Sequence, residues 1–126
     1  MVVLPDLPEW QIIPPVKNYK ITQGFHIIHK ALDLIGDREI LSVGYGKVIK
    51  ANWEGGYGNR IEIQHNNGFI SSYSHLSEFK VEIGDEVMAG QVIGIIGSTG
   101  WGTGVHLHWE LLYNGTKINP LKYIGG

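Results

Sequence analysis

The 126-residue chain contains no cysteine. Disulfides and thiolate metal sites are therefore excluded, and any metal must sit on histidine, aspartate or glutamate. No apolar run approaches the ~18 residues that a membrane-crossing helix needs, so no membrane span is expected. Net charge is also small, with ten Lys and Arg against twelve Asp and Glu giving −2 at pH 7. That balance offers no electrostatic footing to nucleic acid or to an anionic membrane surface. The N-terminal residues Met1-Val-Val-Leu-Pro-Asp6 carry no charged lead and no long apolar stretch, so no signal peptide is expected in this chain. Uninterrupted stretches are scarce as well. The longest piece without Gly or Pro runs from Phe69 to Ile83, which leaves long helices little room.

Glycine is abundant instead: 18 residues, none before Gly24, about twice the average share. Many short strands joined by tight turns, an all-β fold with little helix, is the expected architecture. Pro5, Pro8, Pro14 and Pro15 concentrate in residues 1–18. Proline fixes φ and lacks a donor, so this segment reads as an extended arm or linker, anchored by Trp10, Ile12 and Ile13. The domain proper is expected over residues 19–126. Within it, Arg60 to His65 alternates, with Ile61 and Ile63 on one face. Asn66-Asn67-Gly68 is a hairpin signal, and Phe69 to His75 returns as the partner strand. Lys80 to Gly97 reads as strand, turn and strand, with Val81, Ile83, Val87, Val92, Ile93, Ile95 and Ile96 in the core.

The chemistry concentrates in Thr103-Gly-Val-His-Leu-His-Trp-Glu110. In a strand His106 and His108 share one face, and Leu107 and Trp109 share the other. Two strand residues span roughly 6.5 Å, too far for both rings to chelate one ion easily. The spacing suits one imidazole on a metal and the other aimed at what the metal holds, although two exposed histidines on a strand edge have the same pattern. His29 and Asp33, four apart, converge in a helix turn and in a strand alike; a surface pair is the alternative. His26 is out of phase with Asp33. His65 sits at the turn, where local bonding is expected. His75 ends a polar strand. Ser98 to Gly104 lacks the Gly-Lys-Ser/Thr ending of a phosphate loop. Gly84-Asp-Glu-Val has the cadence of biotinyl and lipoyl carrier hairpins, but the Met-Lys pair they need is missing.

Taken together, His29-Lys-Ala-Leu-Asp33, Gly56-Tyr-Gly-Asn59, Tyr73-Ser-His75-Leu-Ser77, Gly84-Asp-Glu-Val-Met-Ala-Gly-Gln91, Gly97-Ser-Thr-Gly100 and Gly104-Val-His-Leu-His-Trp-Glu110 resemble the lysostaphin/LytM-like zinc metallopeptidases. The resemblance runs from about Ile21 to Tyr123, and the order and spacing of the motifs make it specific. It implies a duplicated hybrid motif (barrel-sandwich) fold of short antiparallel strands and one Zn2+ per chain on His29, Asp33 and His108. It also implies catalytic roles for His75 and His106. The chain departs from the family pattern at Ala31, where glycine is usual, at Trp109, where phenylalanine is usual, and at His26, with a short segment between Phe25 and His29.

Three ligands of this kind leave one position open on a tetrahedral zinc, the pattern of a catalytic site. His106 is placed for base and proton shuttle, and His75 either orients His106 or steadies the oxyanion. Glu110 shares the strand face of His106 and His108, as an orienting group or as a solvated charge. Tyr57, Tyr73 and Trp101 are candidate walls of a substrate groove, with core packing an equal account of Tyr73. The expected function is zinc-dependent endopeptidase action on cross-links or stem peptides of bacterial peptidoglycan, by a monomer acting outside the cytoplasm. The alternative is a non-catalytic domain of the same fold that binds the wall and activates an amidase; such relatives usually have broken ligand sets. A histidine phosphocarrier, which would not need His29 or Asp33, and a biotinyl carrier, whose lysine motif is missing, are weaker rivals.

Overall fold

Period-two alternation builds one large sheet whose two faces differ in kind. The computed structural model describes residues 12–66, 68–100 and 104–124. Eleven strands are formed in it: β1 (Lys20–Gln23), β2 (Leu32–Ile35), β3 (Glu39–Leu41), β4 (Gly46–Trp53), β5 (Asn59–Gln64), β6 (Phe69–Leu76), β7 (Glu78–Phe79), β8 (Glu86–Val87), β9 (Val92–Ile95), β10 (Leu107–Tyr113) and β11 (Thr116–Ile118). The helices among the described residues are the 3-10 turns Gly55–Tyr57 and Pro120–Lys122. The fold is all-β, as the glycine spacing implied. The large antiparallel sheet runs β1-β2-β10-β6-β5-β4-β8, with β11 on β10, and a small sheet runs β3-β9-β7.

One face of the large sheet makes the core. Leu32 and Leu34 on β2, Ile61 and Ile63 on β5, Tyr73 on β6 and Leu107, Trp109 and Leu111 on β10 are buried there. Trp109 lies opposite Tyr73 on one side and Leu32 on the other. Truncating such a side chain costs roughly 3–5 kcal/mol. The Trp109 indole N–H is buried without a hydrogen-bond partner among the described residues, a price of placing Trp where the family pattern has Phe.

The structure revises several expectations. Of the expected anchors of the N-terminal arm, Ile12 is buried and Ile13 is 36% exposed, and Val16 joins the core beside Ile12. Backbone bonds from Ile13 to Val43 and from Leu41 to Pro15 fasten that stretch to the domain. Trp10 lies outside the described residues. Ile83 is 69% exposed rather than in the core. It sits on a turn closed by the Asp85 backbone N–H on the Glu82 carbonyl, followed by Gly84 at φ 94°. Tyr73 is fully buried and walls no groove. It belongs to a chain in which the Val43 N–H donates to Tyr73 Oη at 3.2 Å, with Tyr73 Oη 2.7 Å from Ser71 Oγ and Ser71 Oγ 2.8 Å from His65 Nε2. His65 Nδ1–H donates to the Tyr45 carbonyl at 2.7 Å, across to a segment 20 residues earlier rather than within its own turn.

Candidate functional site

The opposite face of the same strands carries the polar cluster. Register sets His108 on β10 directly between Asp33 on β2 and Ser74 on β6, with Glu110 opposite Ser72. Cross-strand neighbours on one face stand about 5 Å apart at Cβ, within reach of direct side-chain bonds. His108 Nδ1 accordingly lies 3.0 Å from Asp33 Oδ1, and its Nε2 lies 3.1 Å from Glu110 Oε2. His29 arrives by a two-residue turn closed by reciprocal backbone bonds between His26 and His29. Its Nε2 comes 3.3 Å from Asp33 Oδ2. One ligand atom from each of His29, Asp33 and His108 lies within 4.8 Å of the others. His26 stays outside that group, although its ring centroid is 5.6 Å from that of His29.

His106 and His75 complete the cluster. His106 Nε2 is 4.0 Å from Asp33 Oδ2, and the His75 and His106 ring centroids are 5.2 Å apart. Alternation alone would turn His75 away, because Ser74 already occupies the polar face. The β5–β6 register slips here: Ile61 pairs Tyr73 and Asn59 pairs Leu76, so Arg60 faces both Ser74 and His75. This is a β-bulge, which re-aims a side chain. His75 takes φ 70° to make it, the left-handed region that non-glycine residues disfavour.

Backbone carbonyls set the tautomers. His29 Nδ1–H donates to Gly24 at 2.8 Å, His75 Nδ1–H to Thr99 at 2.6 Å and His106 Nδ1–H to Gly104 at 3.1 Å. Each ring then turns Nε2 toward the cluster as its unprotonated nitrogen. His29 Nε2 is buried there with no hydrogen-bond partner among the described residues. His108 has the reverse arrangement, with Nε2 on Glu110 and Nδ1 on the cluster.

The charges are mutually supporting. Burial raises the Asp33 pKa, but the hydrogen bond from His108, helped by the electrostatics of the neighbouring histidines, outweighs it and holds the carboxyl below its ordinary range. Burial also disfavours the Glu110 carboxylate, yet bonds from His108, Arg60 and Lys117 bring its pKa down to about 2. Burial lowers the His108 pKa, and the two carboxylates more than reverse that. Burial lowers the His75 pKa, with the Thr99 carbonyl opposing it in part. Glu110 is thus a buried, triply bonded carboxylate and not a solvated charge.

Two open cavities border the cluster. One, of about 400 Å³, is lined by Gly56, Tyr57, His75 and His108. The other, of about 320 Å³, includes Asp33, Val105 and His106. The Tyr57 ring centroid is 5.9 Å from that of His108. Trp101 lies outside the described residues. Sequence reasoning missed Arg60 and Lys117. Arg60 adjoins the Gly56-Tyr-Gly-Asn59 motif and shares the Glu62 face of a strand whose other face is apolar. That was the available signal.

Comparison with known proteins places these features in a wider group. The model of "Peptidase family M23" matches residues 27–120. An uncharacterized metalloprotease of Buchnera aphidicola is 44% identical over 121 residues, 85% of this chain and 32% of that protein. Murein hydrolase activator NlpD of Escherichia coli is 39% identical over 99 residues, 76% of this chain and 26% of that protein. The chain therefore spans about a third or less of these relatives. A zinc-containing peptidase from Vibrio cholerae superposes with TM-score 0.77 and 31% identity over 90% of this chain and 39% of that one. Lysostaphin from Staphylococcus simulans gives 0.77 and 34% over 85% and 49%.

Proposed function

This chain belongs to peptidase family M23, and we propose that it is a zinc-dependent endopeptidase that hydrolyses peptide bonds in the cross-links or stem peptides of bacterial peptidoglycan. The observation that carries the reading is convergence. His29, Asp33 and His108 close to within 4.8 Å, and His75 and His106 stand beside them with centroids 5.2 Å apart. The donor set fits Zn2+, being two ring nitrogens and a carboxylate. His29 Nε2, buried without a hydrogen-bond partner, fits a ligating nitrogen.

Zinc bound by these three residues supplies Lewis-acid activation of a water molecule and of the scissile carbonyl. The protein's own groups do the rest. His106 Nε2, unprotonated when Nδ1–H is held by Gly104, takes the proton of the attacking water and returns it to the leaving amine. His75, fixed by Thr99 and carried by the bulge, orients His106 or steadies the carbonyl oxygen as it gains charge. Asp33 stays anionic beside three histidines. Tyr57 walls the approach. Such a substrate lies outside the cytoplasm, and the chain acts there.

A second reading has one observation in its favour: the Escherichia coli relative is named a murein hydrolase activator. The complete set of five polar positions argues against a purely binding role. The test is mass spectrometry of purified peptidoglycans of different cross-link type after incubation with zinc-loaded protein. New free termini at one defined peptide bond are expected, with loss of both zinc and product in His108→Ala. Intact muropeptides from zinc-loaded protein would favour the activating role. Full zinc occupancy and activity in His108→Ala would overturn the ligand assignment.

A further inference from the structure

We infer that Arg60 is a positioning residue that ties the two halves of the site together, holding His108 through Glu110 and His75 through Ser74. The inference rests on the zinc-site reading above and concerns a residue outside the set of five. Arg60 is only 4% exposed. Nη2–H donates to Glu110 Oε1 at 2.9 Å, Nη1–H to Ser74 Oγ at 2.8 Å and Nε–H to Glu62 Oε2 at 3.2 Å. Its guanidinium carbon lies 4.0 Å from the Tyr57 ring centroid, so the plane is clamped from one face as well.

Each bond acts on a different part of the cluster. Glu110 accepts the Nε2–H of His108 through its other oxygen, so Nδ1, which donates to Asp33 Oδ1 in this structure, is the nitrogen a metal would take on losing its proton. Lys117 supports that oxygen from the exposed side, 3.0 Å away. Ser74 is the first residue of the bulge, and Arg60 is the single residue opposite the bulged pair. The guanidinium thus pins the strand one residue before the φ reversal that delivers His75. Tyr57, stacked on Arg60, walls the cavity between His75 and His108. A lysine has one charge centre and no planar fork, so it cannot serve Glu110, Ser74 and Tyr57 together.

The experiment compares Arg60→Lys and Glu110→Gln with the wild type in zinc affinity, measured by competition with a chromophoric chelator at fixed pH. Both variants are expected to lose about 10–100-fold, the usual effect of removing a group that orients a metal ligand. With a cross-linked peptide, kcat should fall with KM little changed. Tyr73→Phe is the control, since it loosens the buried hydroxyl chain on the opposite face; its zinc affinity should match the wild type. In metal-free wild type, long-range 1H–15N spectra should show the His108 Nε2 proton protected from exchange. Zinc affinity within twofold of wild type in folded Arg60→Lys and Glu110→Gln would overturn the inference, as would a freely exchanging His108 Nε2 proton should neither variant fold. Zinc affinity needs no turnover. If the wild type binds zinc without cutting wall peptide while both variants lose affinity, the proposed function falls and this inference is supported.

Discussion

His75 adopts a backbone conformation that a side chain makes costly, so the fold and the site compete at this position. Its φ of 70° lies in the left-handed region, where an L-residue pays roughly 1–2 kcal/mol and glycine pays nothing. Glycine, however, gives the unfolded chain more freedom than alanine, a penalty of roughly 0.5–1 kcal/mol. Replacing His75 by either residue deletes the imidazole, its bond to the Thr99 carbonyl and its contacts with His106 and His108. Those losses cancel when the two variants are compared. The difference leaves His75→Gly more stable than His75→Ala by about 0.5–1 kcal/mol. At an ordinary strand position the order would be reversed. Urea unfolding with chelator present, so that metal binding does not contribute, should separate the midpoints by a few tenths molar at an m-value of about 1–3 kcal/mol/M. Neither variant should cleave peptidoglycan. An Ala variant as stable as the Gly variant, or more so, would refute the claim that the bulge stores strain at His75.

Two further outcomes follow from groups near the site and behind it. Burial lowers the pKa of His65 below its ordinary 6.5; below that pH the unfolded chain takes up a proton that the folded chain refuses, so stability falls on acidification by at most ~1.4 kcal/mol per pH unit until the lowered folded value is passed. His65→Gln should flatten this part of the pH–stability curve measured by chemical denaturation, and an unchanged acid slope would contradict the neutral assignment. Gly58 has φ +66°, and a Cβ there would meet the Thr99 carbonyl carbon at 2.5 Å and the Gly100 nitrogen at 2.6 Å; Gly58→Ala should therefore cost about 1–3 kcal/mol. By shifting the Thr99 carbonyl it should lower kcat while zinc affinity is kept, and wild-type kcat would show that Thr99 does not hold His75 in place.

What was legible in the sequence was whatever depends on period two. Leu107 and Trp109 going inward while His106 and His108 share the other face follows from the strand alone, and so does the inward pairing of Ile61 with Ile63. The departures arise where that period is broken or where a second strand decides. Ile83 continues the pattern of Val81, but β7 stops at Phe79 and the turn at Glu82–Asp85 leaves Ile83 on the surface. Residues 12–16 read as an arm anchored by Ile12 and Ile13; Ile12 is buried, but Val16 and not Ile13 shares the core with it, because side chains of an extended segment alternate. Glu110 reads equally as an orienting group or as a solvated charge, because a lone acid in a strand is often the latter. Its burial depends on Arg60 and Lys117, which lie 50 and seven residues away.

The bulge at Ser74 and His75 shows why register was the missing information. Ser71-Ser-Tyr-Ser-His75 contains no glycine and no turn signal, so an unbroken strand is its natural reading, and an unbroken strand would aim His75 into the core beside Tyr73. The slip becomes visible only once Ile61 is paired with Tyr73 and Asn59 with Leu76. The same slip leaves Arg60 without a one-to-one partner, and its side chain bonds Ser74 across the gap. One irregularity in pairing thus delivers a histidine to the polar face and supplies the buried cation that holds Glu110 against His108. The side chains that assemble the cluster are modest individually; their arrangement follows from how β2, β10, β6 and β5 pair, including the slip between β5 and β6.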